Sequence, residues 1–405
     1  STTDTRPWLL SDPIHSRPLT INYGITGAGY TATNPDVRII MTGNDGFVHM
    51  FNNTDNAGVE SGKEAWAFIP RYGLRLLNRL MTNTAGSPLH PYGVDGAPTI
   101  YTYDANGDGN LIASDSDKVY LFFGMRRGGR YYYAMDISDP EQPKILWSIS
   151  DNDADFSELG LTFSKPQVVR VNYDGNTLKP ALIFGGGYDT NKDARSNTSG
   201  SDDSRGNAIF IIDAEDGSLI WKATKGALSA SATEFTHPNL DDSIPSDITA
   251  VDTNGNGAVD RFYVGDTGGN IWRGDINTID RNDWKLQQFA QIGRHYNSSK
   301  SNDRRFFHAI DVVQSRDAVG AFDAVIVGSG DRANPLDTSV GANVPDNWFY
   351  MFKDRQTASG AVLSSIYDHD TVADLSDNCM QEFGLTCSGT QTTKLEAYGL
   401  SLIHI

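Results

Sequence analysis

The segment VYLFFGMRRGGRYYYAMD, residues 119–136, contains the pattern that decides the fold of this chain. A short apolar run is followed by a glycine-rich turn and by a second apolar run that ends in an aspartate. Runs of this composition joined by Gly, Asn or Asp turns are typical of β-hairpins. A polar spacer then leads to Trp147. The segment therefore predicts a β-hairpin that is followed by a tryptophan.

This unit recurs along the chain. Its paired apolar runs lie at residues 37–41 and 47–51, 119–123 and 131–136, 181–184 and 208–213, 261–264 and 271–275, and 324–327 and 348–352. A tryptophan follows the second run in the first four copies and opens the second run of the fifth: Trp66, Trp147, Trp221, Trp284 and Trp348. Since one hairpin alone would leave an apolar face in water, we expect the units to stack around a common core.

A β-propeller of the quinoprotein type is the architecture that we predict for residues 1–399, and the fold class is all-β. Propellers repeat one sheet radially, and about 60–80 residues per unit suits four-stranded blades that carry loop insertions. The turn followed by a tryptophan resembles the quinoprotein-type repeat. A pair of β-sandwiches would explain the strands but not the recurring tryptophan. Helical periodicity is scarce, and its best example is the short stretch at residues 74–80.

The two ends of the chain are considered separately from the repeats. The chain begins with Ser1 and lacks the charged and then apolar pattern of a signal peptide, so we expect an internal fragment. Residues 400–405, LSLIHI, resemble the translation of a sequencing-adapter end and are treated as a non-native scar. The propeller is accordingly predicted to lack its C-terminal blades.

The charge balance argues against two classes of partner. The 405 residues include 51 Asp and Glu against 33 Lys and Arg, which gives a formal net charge of −18 and a pI near 4.7. Such a surface repels nucleic acid and anionic lipid and favours divalent cations and cationic partners. No apolar run approaches the roughly 18 residues that a membrane span needs. We therefore predict neither nucleic-acid binding nor a transmembrane segment.

Residues 252–260, DTNGNGAVD, carry the sharpest chemical signal. Oxygen donors at this spacing can wrap a short loop around one hard cation, and they come from Asp252, Asn254, Asn256, the main-chain carbonyl of Ala258, and Asp260. Carboxylates at both ends favour Ca²⁺ over the alternative of a plain Asn/Gly turn without metal. A flexible ring of protein oxygens also suits Ca²⁺ better than Mg²⁺. Because only two carboxylates are present, we expect a modest affinity.

A second run of the same type, DANGDGN, begins at residue 104. An EF-hand-like register predicts ligands at Asp104, Asn106, Asp108, Asn110 and Asp115. The register is imperfect, because an aspartate replaces the usual glutamate at its end and Ile112 occupies position 9. This loop is therefore a possible second Ca²⁺ site, and the alternative is a solvated acidic hairpin loop.

The chain has only two cysteines, Cys379 and Cys387, and neither has Cys or His partners nearby that would complete a zinc site. A local disulfide is the preferred interpretation, and it fits an oxidising compartment such as the periplasm or the cell surface. Two free thiols are the alternative.

Several ordered motifs together resemble one protein family. GNDGFVHMF at residues 43–51, WAFIP at 66–70 and VDGAPT at 94–99 look like the opening blade of type IV pilus biogenesis and tip-adhesin proteins of the PilY/PilC type. GGR at 128–130 and AMDISDP at 134–140 resemble the second blade. SKP at 164–166, FGGGY at 184–188 and the loop at 252–260 followed by FYVGD at 262–266 continue in the family's order. The resemblance covers most of residues 37–355.

The resemblance implies a seven-bladed propeller at the C-terminal end of a secreted, pilus-associated protein that is not an enzyme. In this family calcium occupancy governs pilus extension against retraction, and its ligands correspond to residues 252, 254, 256, 258 and 260. The implied function is regulation of pilus assembly, twitching motility and surface adhesion. The implied partners are pilin or minor pilins, the pilus machinery, and a host-cell or abiotic surface. The implied location is the fimbrium or cell surface, outer-membrane-associated or periplasmic.

Two other functions fit the same fold. Pyrroloquinoline-quinone dehydrogenases are propellers of this type, but the neighbouring cysteines that pack on the quinone in many of them have no counterpart here. An outer-membrane scaffold would use the fold without calcium control. The tripeptide RGD at residues 273–275 spells an integrin-binding motif, but it falls in an apolar run that predicts a strand, whereas integrin recognition needs an exposed loop.

Overall fold

The computed structural model describes residues 12–27, 29–82, 90–173, 175, 177–193, 201–294, 302–332, 345, 347–357, 363 and 365–368. Within these residues the strands form five sheets, and neighbouring strands within each sheet are mostly consecutive in the sequence. Cys379, Cys387 and residues 400–405 lie outside the described part of the chain.

The first two sheets each contain four antiparallel strands in chain order. The first sheet consists of β1 (Leu19–Gly24), β2 (Asp36–Thr42), β3 (Val48–Asn52) and β4 (Glu64–Phe68). The second consists of β5 (Thr99–Tyr103), β6 (Lys118–Gly124), β7 (Tyr131–Asp136) and β8 (Lys144–Ser150). Along the chain, the α-helix α1 (Leu74–Thr82) lies after β4 and before β5, and it confirms the predicted helical stretch.

The third sheet repeats this pattern and adds two strands at one edge. Its antiparallel part consists of β9 (Gln167–Val171), β10 (Lys179–Gly185), β11 (Ala208–Asp213) and β12 (Leu219–Lys225). The edge is extended by β13 (Ser229–Ala230) and β14 (Glu234–His237). Strand β14 pairs in parallel with β12.

The last two sheets complete the described fold. The fourth consists of β15 (Thr249–Val251), β16 (Arg261–Gly265), β17 (Asn270–Asp275) and β18 (Lys285–Gln291). The fifth consists of β19 (Asp311–Arg316), β20 (Ala321–Gly328) and β21 (Phe349–Asp354). A final short strand, β22 (Tyr367–Asp368), pairs in parallel with β18 and so belongs to the fourth sheet.

The five predicted pairs of apolar runs are the second and third strands of the five sheets. Strand β6 is buried on both faces: Leu121 and Phe123 pack toward the first sheet, whereas Tyr120 and Phe122 pack toward the third. In β2 and β21, by contrast, buried residues alternate with partly or fully exposed ones. A strand covered on both faces has no polar side and gives a continuous apolar run. Separate apolar clusters fill the spaces between each pair of successive sheets.

The recurring tryptophan links one sheet to the next. Trp147 of β8 donates its indole N–H to the carbonyl of Ala214 in the third sheet, at 3.1 Å. The turn at Gly217 packs against the same indole, because a Cβ atom added there would lie 2.9 Å from the Trp147 ring. Trp66 of β4 likewise donates its indole N–H to the carbonyl of Pro140, between β7 and β8, at 2.9 Å. Each of these two tryptophans therefore contacts the turn that joins the third and fourth strands of the next sheet.

The segments that precede the first strand of each sheet line a common cavity of about 510 Å³. A cavity lined by corresponding segments of every sheet is expected where the blades of a propeller converge. The predicted all-β propeller is thereby confirmed for the described residues.

Candidate metal centre

Both predicted calcium loops occupy the same place in their sheets. Residues 252–260 connect β15 to β16, and the run that starts at Asp104 connects β5 to β6. In each case the loop joins the first strand of a sheet to the second. The sequence did not reveal this equivalence, because the apolar repeat identified only the second and third strands.

The first loop is held by hydrogen bonds from its own main chain. The Asp252 carboxylate accepts from the N–H groups of Gly255 and Gly257, both at 2.7 Å, and from that of Asn254 at 3.2 Å. Gly255 and Gly257 have positive φ angles of 76° and 86°, a region that glycine enters without steric cost. The two glycines therefore allow these N–H groups to reach the Asp252 carboxylate.

The two asparagines continue the same pattern. The Asn254 side-chain oxygen accepts from the N–H group of Asn256 at 3.0 Å, and the Asn256 side-chain oxygen accepts from that of Ala258 at 2.8 Å. Each side chain is thus folded back along the loop rather than extended into solvent. The side chains at positions 252, 254 and 256 are nonetheless exposed, so an ion could reach them from solvent.

Asp260 closes the loop from its buried end. Its carboxylate accepts from the N–H and hydroxyl groups of Thr253, at 2.8 and 2.6 Å, and from the Asn254 side-chain amide at 3.2 Å. The residue is 5% exposed. Its main-chain N–H donates to the carbonyl of Val251, and its own carbonyl accepts from Ile276. Asp260 is therefore fixed to the sheet while its carboxylate faces the loop.

The environment of Asp252 favours its charged form. Partial desolvation raises the pKa of this carboxyl, but the N–H groups of Gly257, Gly255 and Asn254 outweigh it and bring the net pKa below the ordinary value. A carboxylate that is ionised over a wide pH range is a suitable ligand for a hard cation.

The donor set of the first loop fits calcium. It offers two carboxylates, two amide oxygens and the carbonyl of Ala258, and oxygen donors of these kinds are the ligands that Ca²⁺ takes in proteins. No group of three or more His, Cys, Asp or Glu side chains that could hold a metal ion occurs in the described part of the chain. A calcium ion at this loop would therefore depend on amide and main-chain oxygens as well as on Asp252 and Asp260.

The second loop has the same internal geometry. The Asp104 carboxylate accepts from the N–H groups of Gly107 and Gly109, at 2.7 and 2.8 Å. The Asn106 side-chain oxygen accepts from Asp108, and the Asp108 carboxylate accepts from Asn110, at 2.9 and 2.8 Å. Residues 104, 106, 108 and 110 thus correspond to residues 252, 254, 256 and 258. The Asn110 side-chain oxygen, however, accepts from the main-chain N–H of Ile25, directly after β1, at 2.7 Å.

The closing residue of the second loop is Asp117 and not the predicted Asp115. The Asp117 carboxylate accepts from the N–H groups of Ala105 and Ile112, both at 2.8 Å, and the residue is 4% exposed. Asp115 lies in a short 3₁₀ turn (Ala113–Asp115), is exposed, and has a carboxylate that accepts from the Ser114 hydroxyl at 3.3 Å. The prediction placed the last ligand at a fixed spacing from Asp104. In the structure, the residue that closes the loop is the one directly before β6. Metal binding by this loop stays a prediction.

The RGD tripeptide lies within β17, as its apolar surroundings predicted. Arg273 is fully buried and donates to Asp354 at 2.8 Å and to Asp275 at 2.9 Å. Asp275 is 3% exposed. These side chains hold two neighbouring sheets together, and they are not available to an integrin in this fold.

A family model for the PilY1 β-propeller domain matches residues 10–377. This chain belongs to that family. The type IV pilus biogenesis factor PilY1 of Pseudomonas aeruginosa is 32% identical over 246 residues, which cover 61% of this chain and 18% of that protein. A homolog of this factor from Xylella fastidiosa is 29% identical over 262 residues, or 63% of this chain and 15% of that protein. The chain thus spans less than a quarter of either relative.

The crystal structure of the Pseudomonas aeruginosa PilY1 C-terminal domain has the same fold. It matches with a TM-score of 0.55 at 23% identity, over 82% of this chain and 60% of that chain. Membership of the PilY1 β-propeller family confirms the resemblance that the motifs indicated. No helix in the described residues is long and apolar enough to cross a membrane.

Proposed function

We propose that this chain is the calcium-binding propeller of a type IV pilus biogenesis protein and that it has no enzymatic activity. The observation that carries the proposal is the loop at residues 252–260, in which side-chain oxygens are folded back between two paired strands. Asp252, Asn254, Asn256, the Ala258 carbonyl and Asp260 would hold the ion. Bound Ca²⁺ would supply the positive charge that two neighbouring carboxylates need to stay close together.

The two residues on either side of Asp260 form hydrogen bonds to neighbouring sheets. Val259 donates its N–H to the carbonyl of Arg170 in β9, at 2.9 Å. Arg261, which directly follows the loop, donates to Asp275 at 3.1 Å and to Asp323 in the fifth sheet at 3.2 Å. The loop is thus connected to the third, fourth and fifth sheets. We infer that calcium occupancy fixes the relative positions of these sheets.

The proposed biological role follows from the family. Several relatives carry the name type IV pilus biogenesis factor, and we propose that this chain acts with pilin or minor pilins and the pilus machinery. Calcium occupancy would bias pilus extension against retraction and so affect twitching motility and adhesion to a host-cell or abiotic surface. The proposed location is the fimbrium or cell surface, or the periplasm.

A complementation experiment tests this role. The full-length protein carrying Asp252→Ala should fail to restore calcium-dependent twitching to a strain that lacks it. Asp216→Ala is the matched control, because Asp216 is also an exposed aspartate that accepts a main-chain N–H in a hairpin turn. Normal calcium-dependent twitching with Asp252→Ala would contradict the proposed role, and so would equal loss with both variants.

A further inference from the structure

The cavity between the sheets is positively charged, although the chain as a whole carries a net charge of −18. Four cationic side chains line it, against one carboxylate, that of Asp247; the cations are Arg17, Arg126, Lys165 and Arg332. His15 and His308 also lie on its wall. A cleft lined mainly by one sign of charge raises the local concentration of ions of the opposite sign, so this cavity attracts anions.

The cavity residues occupy corresponding positions in the sheets. Arg17, Lys165 and Asp247 each lie two residues before the first strand of their sheet. Ala97 and Ala309 hold the equivalent positions in the other two sheets. The architecture therefore directs one residue of each sheet to the cavity wall, and two of these five residues are cationic.

Arg126 is the buried member of the group and has unused donors. It is 7% exposed, and its guanidinium lies over the Phe163 ring, 4.1 Å from the centroid. Its hydrogen bond within the described residues goes to the Asp95 carboxylate and is long, at 3.4 Å. Asp95 also contacts His15 at 2.8 Å, so its charge is shared. A guanidinium has five N–H donors, and most of those of Arg126 remain for a molecule in the cavity.

The backbone at Arg126 is held in an uncommon conformation. Its φ angle is 50°, in the left-handed region that residues other than glycine rarely enter. The N–H groups of Met125 and Arg126 both donate to the Thr162 hydroxyl, at 2.8 and 3.0 Å, which fixes this conformation. Strained residues of this kind cluster at ligand sites, where neighbouring structure holds them in place.

The other three cations are exposed at the cavity. In the described part of the chain, the side chains of Arg17, Lys165 and Arg332 form no ion pair and donate no hydrogen bond. The one carboxylate on the wall has a partner, since Asp247 accepts from the main-chain N–H of Lys165 at 2.6 Å. Burial raises the pKa of Asp247, while this hydrogen bond and the charges of Lys165, Arg332 and Arg17 oppose that effect.

The pKa values of two residues on the cavity wall, Arg126 and His308, are lowered partly by neighbouring positive charges. Burial lowers the pKa of Arg126 to about 10, and Arg332 and Arg127 add to this effect while Asp95 opposes it. Burial also lowers the pKa of His308, with Arg332 and Arg17 acting in the same direction and Asp247 against them. An anion bound nearby would raise both pKa values, because it favours the charged forms of Arg126 and His308.

We propose that this cavity binds a small anion that carries two or more carboxylate or phosphate groups. Arg126 holds one anionic group in the buried part of the cavity, and Arg17, Lys165 and Arg332 hold the others at its opening. Charge-assisted hydrogen bonds from guanidinium and ammonium groups to such oxygens are among the strongest in proteins. The proposal uses no residue of the calcium loop and does not depend on calcium binding.

Calorimetric titration of the full chain in calcium-free buffer tests the proposal. The probes are tricarballylate, which carries three carboxylates, and pyrophosphate, which carries two phosphate groups. Saturable binding of either probe supports the proposal, and the tighter of the two identifies the preferred anionic group. No saturable binding of either probe up to about 10 mM would overturn it.

Variants then locate the site. Lys165→Ala and Arg17→Ala should each weaken binding by about tenfold or more, through the loss of one charged hydrogen bond. Asp247→Asn should instead tighten anion binding severalfold. The substitution removes the one carboxylate on the wall but retains an oxygen that can accept from the main-chain N–H of Lys165. Lys144→Ala, an exposed lysine on β8 away from the cavity, is the control. Equal affinity in all four variants would overturn the assignment to this cavity.

Discussion

Asp117 and Asp260 occupy equivalent positions in two different sheets. Each directly precedes the second strand of its sheet, and each accepts a hydrogen bond of 2.8 Å from the residue after the loop's first aspartate. That residue is Ala105 in one loop and Thr253 in the other. Both closing residues are buried. The two loops are therefore closed in the same way, although one is longer than the other.

Replacing Asp117 by alanine is expected to lower the free energy of unfolding by about 1–3 kcal/mol, because two main-chain N–H groups lose their acceptor. Asp115→Ala is the matched control, and a change of no more than about 0.5 kcal/mol is expected for an exposed side chain of this kind. Urea denaturation in calcium-free buffer measures both. Equal losses would contradict the closing role of Asp117.

The contribution of Asp252 to stability should depend on pH. Its pKa is lower in the folded chain, where partial desolvation is outweighed by main-chain hydrogen bonds. Its contribution is therefore present above the unfolded-state pKa of about 3.9 and is lost as the pH falls through the lower folded-state value. The difference in unfolding free energy between the natural chain and Asp252→Asn should shrink between about pH 7 and pH 3. A constant difference, measured by urea denaturation, would contradict this.

Gly217→Ala should destabilise the contact between the second and third sheets. The φ angle of Gly217 is 75°, and a Cβ atom there would lie 2.9 Å from the Trp147 ring. We expect a loss of about 1–3 kcal/mol in the free energy of unfolding. Gly107→Ala separates the two causes, because Gly107 has a φ of 74° with nothing within 4 Å. If both variants lose the same stability in calcium-free urea denaturation, the packing on Trp147 contributes nothing.

Anion binding in the cavity should raise the pKa of His308. Burial, Arg332 and Arg17 now lower this pKa, and a bound anion would offset the two arginines. Proton NMR titration of the histidine rings with and without tricarballylate measures the change. His237 is the control, because burial lowers its pKa as well but it does not line the cavity. A shift at both histidines, or at neither, would count against binding in the cavity.

The sequence predicted those strands whose own residues form a recognisable apolar run. Strand β6 is apolar throughout because both its faces are buried. Strands β5 and β19 were missed, because all of their residues are partly or fully exposed and no apolar run marks them. The candidate calcium loop at residues 252–260 was visible because its proposed donors are close in sequence.

Features assembled from distant segments could not be found in this way. Asp117 was missed because its role depends on where β6 begins, and no fixed spacing from Asp104 encodes that start. The cationic cavity was missed because its residues come from all five sheets. One local signal was available in retrospect: Arg17, Ala97 and Lys165 each precede a proline that leads into a first strand.

Calorimetric titration of the chain with calcium is the most direct test of the central claim, that the loop at residues 252–260 binds this ion. The natural chain and Asp216→Ala should bind Ca²⁺ with the same affinity. Asp252→Ala should weaken binding at one site by at least about tenfold, because it removes one of two charged ligands. Unchanged affinity in Asp252→Ala, with the fold intact by circular dichroism, would contradict the claim.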